Sequence, residues 1–274
     1  MSKNILIIGG NRFVGKLLAD MLLQIKEYNV ILLNRTGYLK GHNVLKCDRN
    51  NSFQLEKTLQ NSEFDCIIDM CLYNITQARL SIPIFEKITK KYIFVSSIAS
   101  KLPFFGEYGR NKKSVEEYIS KSSLSYVCLQ PTYIIGERDT TNRLEYYINQ
   151  IISGKPIEIE GKGDKLINFI DCEDLAKLII LLITQNKFEN KTFEVGNGEY
   201  TSLLDLVYRL SKFNNTIHPA QLKLNSFYSP YKNQQCIASN LEIKRYLNYK
   251  FTDLDETLKR LWKFYTFNKN IIIS

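Results

Sequence analysis

One serine, one tyrosine and one lysine are spaced in a way that suits acid–base chemistry on a hydroxyl or carbonyl group. Ser97 follows the apolar run 92–95, and Tyr108 and Lys112 come soon afterwards, four residues apart. Positions i and i+4 share one face of a helix, and a neighbouring ammonium group favours the ionised form of a phenol. We therefore expect Tyr108 to exchange a proton with a substrate, Lys112 to lower the pKa of Tyr108, and Ser97 to hold the reacting oxygen.

The Tyr–Lys spacing is not specific by itself, because a chain rich in both residue types repeats it. The same spacing occurs at Tyr208/Lys212, Tyr228/Lys232, Tyr246/Lys250 and Tyr265/Lys269. Only the pair at 108 and 112 follows a serine-ended strand and precedes another predicted strand, which places it at the carboxyl edge of a parallel sheet. The alternative interpretation is a helix that merely begins with a half-buried tyrosine.

A glycine-rich loop lies between the first predicted strand, 4–8, and the first predicted helix, 14–26. Small residues let backbone amides approach a pyrophosphate, and a helix N-terminus favours its charge. The pattern also begins like an NTPase phosphate loop at 10–16, but Leu17 stands where that loop needs Ser or Thr to hold Mg²⁺. The loop therefore predicts dinucleotide binding, through Gly9, Gly10, Asn11, Arg12, Phe13, Val14 and Gly15.

The end of the second strand predicts which dinucleotide is preferred. Asn34 and Arg35 occupy the place where an NAD site usually carries an acidic residue for the ribose 2′-hydroxyl. Arg35 and Arg12 suit the 2′-phosphate of NADP, so we expect NADP to be preferred over NAD. The alternative is that Arg35 points to solvent and Arg12 packs across the adenine, which would leave the preference weak.

Short apolar strands alternate with helical patterns in the first half of the chain. Continuously apolar strands of this kind are typical of a parallel sheet covered on both faces, so we expect a doubly wound α/β fold. Within this half, Ser52 is expected to cap a short helix, and Pro83 to kink or break a helix over 76–91. After Pro131 the pattern changes to helices near 142–152, 172–185, 202–213 and 252–264. We expect a dinucleotide-binding domain of residues 1–131 and 172–198, and a smaller, interleaved substrate domain of residues 132–171 and 199–274.

Composition excludes several classes of protein. The 274 residues are 44% hydrophobic and 24% charged, which rules out a disordered or fibrous chain. The net charge of +9 favours anionic partners. The longest apolar runs are far too short for a membrane span or a signal sequence, so we expect a cytoplasmic protein without membrane contact. Six cysteines without a C-x-x-C pair, and only two histidines, predict reduced thiols and no metal site.

Together, the glycine loop and the Ser–Tyr–Lys set resemble those of the extended short-chain dehydrogenases/reductases of the NAD-dependent epimerase/dehydratase family. The resemblance covers nearly the whole chain and includes L-Q-P-T at 129–132, N-F-I-D-C-E-D-L-A at 168–176 and F-E-V-G at 193–196. The loop G-G-N-R-F-V-G resembles a branch that also contains chloroplast stem-loop RNA-binding proteins.

The resemblance implies further site residues. On the cofactor side it adds Asp48, Arg49, Met70, Cys71, Leu72, Ser96, Pro131 and Thr132. For the substrate, we expect a site between Ser97, Tyr108 and the segment 132–143, lined by Tyr73, Phe104, Phe105, Tyr133, Arg138, Arg143 and Asn168. Arg138 and Arg143 suit an anionic group of the substrate.

The chain also departs from the family pattern at three places. Ile167 stands where nucleotide-sugar epimerases carry an arginine that clamps a diphosphate, and a second such arginine is missing near 232–235. Only ten residues separate Ser97 from Tyr108, which predicts an altered or more open pocket.

The predicted function is that of an NAD(P)-dependent oxidoreductase or epimerase. Its substrate would be a hydroxylated small molecule, and a sugar or sugar nucleotide is a candidate. The resemblance also implies a homodimer, because members of this family often form one. The alternative is a cofactor-binding RNA-binding or regulatory protein without turnover, although nucleic acid is the less favoured partner.

Overall fold

The computed structural model describes residues 2–185, 189–214 and 221–272, the last five of them as backbone only. The strands are β1 Lys3–Ile8, β2 Tyr28–Asn34, β3 Asn43–Lys46, β4 Cys66–Asp69, β5 Tyr92–Val95, β6 Tyr126–Pro131, β7 Tyr133–Ile135, β8 Ile157–Glu160, β9 Phe169–Asp171, β10 Lys191–Val195 and β11 Leu222–Ser226. The helices are α1 Phe13–Leu23, α2 Ser52–Leu59, α3 Ile75–Ile88, α4 Gly106–Ile119, α5 Arg143–Ser153, α6 Cys172–Ile183, α7 Leu203–Ser211, α8 Leu241–Leu247 and α9 Leu254–Ile272. Two 3₁₀ turns, Ile98–Lys101 and Pro103–Phe105, lead into α4.

Seven strands form one parallel sheet in the order β10-β6-β5-β4-β1-β2-β3. Successive side chains of a strand point to opposite faces. Accordingly, Ile5 and Ile7 of β1 pack in the core shared with α1 and α6, whereas Leu6 and Ile8 pack in the core shared with α2, α3 and α4. The predicted doubly wound α/β fold is thus confirmed.

The chain crosses from one side of the sheet to the other around β1, which lies between β2 and β4. In open sheets of this kind, the loops at the carboxyl ends of the strands separate there and leave a crevice. The turn after β1 and the ends of β2, β4 and β5 all open into this crevice, so the fold fixes where a ligand site can form.

A third cluster of buried side chains lies beyond β6. It is built from α5, α7 and α9 together with two small parallel sheets, β7–β9 and β8–β11. Tyr231 is fully buried at its centre, between the rings of Tyr133, Tyr147 and Phe169. This cluster forms the wall that faces the carboxyl edge of the large sheet.

The break considered at Pro83 and the cap expected at Ser52 are not found. The helix α3 continues through Pro83 instead of breaking there, because Ile82 and Phe85 on either side of the proline are fully buried. The helix α2 is capped by Asn51 and not by Ser52, since the Asn51 side chain accepts a hydrogen bond of 2.9 Å from the Gln54 amide.

No helix within the described ranges is both long enough and apolar enough to cross a lipid bilayer.

Candidate active site

The loop after β1 has the backbone of a phosphate cradle. Gly9 adopts a φ of +91°, and a Cβ atom at Gly15 would lie 2.2 Å from the Gly9 carbonyl oxygen. Only glycine permits this approach of α1 to the end of β1. Arg12 caps α1 without a side-chain hydrogen bond, which leaves the start of the helix open to the crevice. These features fit the pyrophosphate of a dinucleotide.

A single cavity of about 1020 Å³ follows the carboxyl edge of the sheet from the end of β2 to the start of α5. Most of the residues predicted to bind the cofactor line this cavity: Gly9, Asn11, Arg12, Phe13, Val14, Gly15, Asn34, Arg35, Asp48, Arg49, Met70, Cys71, Ser96, Pro131 and Thr132. Gly10 and Leu72 do not, because both are buried behind its wall.

Two exposed arginines line this cavity: Arg35, which follows β2, and Arg12, which precedes α1. Asn34 donates a hydrogen bond of 2.9 Å to the Asn11 side chain and accepts one of 2.7 Å from the Gly37 amide, which fixes the turn. Arg35 and Arg12 are both exposed, and neither forms an ion pair with a carboxylate of the described residues. Their charges are therefore free for an anion in the cavity.

Arg49 has a different role from the two exposed arginines. Its guanidinium group is buried and donates hydrogen bonds of 2.8 Å to Asp69 and 3.2 Å to Ser81, while the Tyr92 hydroxyl donates one of 2.9 Å to Asp69. Burial alone would lower the pKa of Arg49, but the Asp69 carboxylate reverses this and leaves it above the ordinary value. This network ties α3 to β4 and β5 beside the cavity.

Ser97 and Tyr108 meet at the middle of the cavity. Ser97 follows β5, and its hydroxyl accepts a hydrogen bond of 3.2 Å from the Ala99 amide at the first 3₁₀ turn. Tyr108 lies in the first turn of α4. Burial raises the pKa of Tyr108, although a hydrogen bond with Ser97 and the charge of Arg143 oppose the rise. Tyr108 is thus a neutral phenol at pH 7, able to donate a proton.

Lys112 is almost completely buried one turn further along α4. Its Nζ atom donates hydrogen bonds of 2.9 Å to the Leu72 carbonyl and 3.1 Å to the Val95 carbonyl. Burial lowers its pKa to about 8, even though the Asp69 carboxylate acts in the opposite direction. The expected lowering of the Tyr108 pKa by Lys112 is not seen, because the ammonium group bonds to the loop after β4 and to the end of β5 instead.

Gly109 is a positioning residue that the sequence analysis missed. A Cβ atom there would lie 2.3 Å from the Ala99 carbonyl oxygen, so glycine lets α4 pack directly on the turn that follows Ser97. This close approach brings Tyr108 and Ser97 to the same part of the cavity. A glycine inside a predicted helix was the available signal, since such a residue usually has a packing reason.

On the substrate side, the structure brings together only some of the predicted residues. Tyr73, Phe105, Tyr133 and Arg143 line the cavity. Phe104 does not line it, but packs on Phe105 with ring centroids 4.5 Å apart.

Two predicted substrate residues lie away from the cavity lining. Arg138 is exposed and has a positive φ of 60°. Asn168 is fully buried, where its amide donates a bond of 2.8 Å to the Ala238 carbonyl and accepts one of 3.1 Å from the Ala238 amide. The Asn168 side chain is therefore engaged in joining two backbone segments.

Several lining residues had not been named individually as site residues. The largest group follows β7, where Asp139 accepts hydrogen bonds of 2.9 and 2.7 Å from the Thr141 amide and hydroxyl. The segment 132–143 had been expected to border the pocket, whereas Cys236, next to the 232–235 segment, had not been predicted to line it. The additional lining residues include Gln77, Asp139, Thr140, Thr141 and Cys236.

The model of the NAD dependent epimerase/dehydratase family matches residues 5–83 and 97–196. Among curated proteins, the chloroplast stem-loop binding protein of 41 kDa b of Arabidopsis thaliana is 23% identical over 288 residues, covering 90% of this chain and 75% of that protein.

Solved structures share the fold over almost the full length. UDP-glucose 4-epimerase of Thermotoga maritima superposes with a TM-score of 0.82 at 18% identity, covering 98% of this chain and 99% of that one. UDP-glucuronic acid 4-epimerase of Bacillus cereus, solved with UDP-glucuronic acid and NAD, gives a TM-score of 0.80 at 19% identity, with coverage of 97% and 99%.

Proposed function

The chain belongs to the NAD dependent epimerase/dehydratase family, and from that premise we propose that it is an NAD(P)-dependent oxidoreductase or epimerase of a hydroxylated small molecule, a sugar or a sugar nucleotide. The observation that carries the proposal is the single cavity, which joins the glycine loop at one end to Ser97, Tyr108 and Lys112 in its middle. A phosphate cradle and an acid–base group on one cavity are what hydride transfer at a carbinol requires.

In the proposed reaction, the chain supplies proton transfer and positioning. A nicotinamide dinucleotide, when bound, supplies the acceptor or donor of hydride. Tyr108 gives its proton to the substrate oxygen when a carbonyl is reduced, and takes it back when a carbinol is oxidised. Ser97 holds that oxygen by a hydrogen bond. Lys112, while protonated, holds the carbonyls of Leu72 and Val95 by charge-assisted hydrogen bonds and so keeps the cavity wall beside Ser97 and Tyr108 in place.

We also propose which parts of the chain bind the cofactor and which parts contact the substrate. Residues 1–131 and 172–198 hold the cofactor, and residues 132–171 and 199–274 provide the substrate wall. The packing of α6 against α1 supports this division, as does the pairing of β10 with β6 in the large sheet.

For the cofactor, we propose a preference for NADP over NAD. Arg12 and Arg35 are exposed at the adenosine end of the cavity, and Asn34 replaces the acid that would repel a 2′-phosphate. A charge-assisted hydrogen bond contributes roughly 1.5–3 kcal/mol, so one arginine shifts the preference by about ten- to a hundredfold.

This preference is tested by titrating both cofactors into wild type and Arg35→Ala at fixed salt. Arg245→Ala is the matched control, because Arg245 is exposed on α8 near β10, at the opposite edge of the sheet. NADP affinity should fall in Arg35→Ala alone. Equal wild-type affinities for the two cofactors, or an unchanged Arg35→Ala variant, would remove Arg35 from the phosphate site.

The proposed activity is tested with a substrate panel. Wild type is incubated with NADP or NAD and with UDP-glucose, UDP-glucuronate, or free sugars and hydroxy acids. Reduced cofactor is followed by absorbance, and epimerised product by NMR. Turnover of one class that requires the cofactor supports the proposal. Cofactor binding without hydride chemistry on any class contradicts it.

A second candidate function is stem-loop binding by a protein without turnover. The observation that favours it is the similarity to the Arabidopsis protein over 90% of the chain, together with the net charge of +9. Neutralised phosphates make such binding strongly salt-dependent. Tight, salt-sensitive binding of a stem-loop RNA that cofactor leaves unchanged, without redox chemistry, would favour this candidate over the enzyme.

A further inference from the structure

Arg143 stands at the substrate end of the cavity with its charge uncompensated. It is the first residue of α5 and lines the cavity. Within the described residues, no carboxylate lies within 4 Å of its guanidinium group. A cation in the first turn of a helix opposes the helix dipole, so this arginine does not serve the stability of α5.

Aromatic rings hold the Arg143 side chain in place without neutralising it. The guanidinium carbon lies 5.6 Å from the centroid of the Tyr133 ring and 6.0 Å from that of Tyr231. Tyr231 is in turn fixed by stacking on Tyr147 of α5, with centroids 5.8 Å apart. Cation–π contact fixes the plane of an arginine while leaving its N–H groups free to donate.

Two buried hydroxyl groups lie in the layer of tyrosine rings beside Arg143. They belong to Tyr133, which is 6% exposed, and to Tyr231, which is 0% exposed. The ring of Tyr133 forms part of the cavity wall. The wall beside Arg143 is therefore the face of a tyrosine ring, and the arginine is the polar group that this part of the wall offers to a ligand.

The acidic side chain that follows β7, that of Asp139, also lines the cavity. Its two oxygens accept hydrogen bonds from the Thr141 amide and hydroxyl. Arg143 is also close enough to Tyr108 for its charge to lower the pKa of that phenol. An anion bound at Arg143 would therefore lie close to the atom that receives the proton of Tyr108.

The clamps for a nucleotide diphosphate are missing where the family pattern places them. Ile167 is fully buried, in backbone pairing with Thr201 and Cys236. In the 232–235 segment, Lys232 lies 3.7 Å from Glu160, and the Asn233 side chain accepts a bond of 3.0 Å from the Lys165 amide. Arg143, which lines the cavity without an ion pair to a described carboxylate, thus lies next to the reacting group.

We propose that Arg143 binds an oxyanion carried by the reacting unit of the substrate itself, so that the enzyme selects a hydroxylated acid or phosphate ester over its neutral counterpart. Tyr133 supplies the ring on which the arginine and its anion rest. This inference rests on the proposed function, and it names the substrate class of that same site. An arginine bound to an oxyanion typically contributes about ten- to a hundredfold in affinity.

Matched pairs of ligands test the proposal by binding, independently of turnover. D-glucuronate is compared with D-glucose, glucose 6-phosphate with glucose, and UDP-glucuronate with UDP-glucose, by calorimetry with and without NADP. Wild type should bind the acidic member of at least one pair about tenfold or more tightly. The glucuronate and glucose 6-phosphate arms separate a carboxylate from a phosphate ester.

The variants are Arg143→Met, Arg143→Lys and the charge control Arg245→Ala. Arg143→Met should abolish the preference for the acid, Arg143→Lys should retain part of it, and the control should match wild type. Equal binding of acid and neutral ligand by wild type overturns the proposal, as does an undiminished preference in Arg143→Met. UDP binding that depends on Arg143 would overturn it as well, because the oxyanion would then be the diphosphate. Cofactor reduction is measured separately, so loss of the acid preference leaves the proposed activity standing.

Discussion

Replacing Gly109 by alanine separates the effect of helix propensity from that of the active-site packing. In an unobstructed helix the change stabilises a protein by about 0.5–1 kcal/mol. Here the new Cβ would lie 2.3 Å from the Ala99 carbonyl oxygen and 3.4 Å from the Cβ of Phe105, whereas ordinary contact begins at 3.4 Å. The helix α4 must therefore move away from the Ala99 turn by about 1 Å, a strain of about 1–3 kcal/mol.

Helix propensity raises the free energy of unfolding and the strain lowers it, so the sign of the measured change shows which effect is larger. We expect Gly109→Ala to lower the free energy of unfolding by up to about 2.5 kcal/mol, after the gain in propensity is subtracted from the strain. The movement also takes Tyr108 away from Ser97, and a misplacement of about 1 Å costs on the order of a hundredfold in rate. Cofactor affinity should change little, because the glycine loop is on another element.

The assay combines urea denaturation, cofactor titration and turnover for wild type, Gly109→Ala and Arg110→Ala. The control changes the next residue of α4, which is exposed, and should behave as wild type. A Gly109→Ala variant that is more stable than wild type and turns over at the wild-type rate would refute the argument that this glycine sets the distance between α4 and Ser97.

Two further predictions concern buried charges. Burial lowers the pKa of Lys112 to about 8, so turnover should fall as the pH rises through 8 and the ammonium group is lost. The same fall should be absent from the pH–rate profile of Lys112→Met. The pKa in the unfolded chain is higher, near 10.5, so deprotonating Lys112 should raise the stability of wild type between pH 8 and 10.5, a gain that urea titration should not find in Lys112→Met. Arg49→Met leaves the fully buried Asp69 carboxylate without its cation and should cost about 3–5 kcal/mol in urea denaturation. The double variant Arg49→Met/Asp69→Leu should recover most of that loss, and a double variant as unstable as the single one would contradict the assignment.

The sequence alone was enough to predict those features of the fold and the site that one continuous segment determines. The strands β1, β4 and β5 are continuously apolar because both faces of the sheet are covered, so the pattern itself predicts a doubly wound fold. The glycine loop and the pair Tyr108 and Lys112 are likewise local patterns. Their convergence follows from the rule that parallel strands present their carboxyl ends at one edge.

Contacts between distant segments were not predictable in the same way. Lys112 bonds to the carbonyls of Leu72 and Val95, and any residue at those positions carries a carbonyl. Asn168 was placed at the pocket, but its amide is bonded to the backbone of Ala238, seventy residues away. The direction of a polar side chain depends on such partners, which hydrophobic periodicity does not reveal.

The central claim is that Tyr108 transfers the proton in a cofactor-dependent reaction at the cavity. The measurement that tests it most directly is the turnover number of Tyr108→Phe beside wild type, with the dissociation constant of the cofactor measured on the same samples. The substitution removes only the hydroxyl group, and a positioned acid or base contributes about 10²–10⁴ in rate. The account predicts a loss of that size with cofactor affinity unchanged. A Tyr108→Phe enzyme that works at the wild-type rate on a genuine substrate would contradict it.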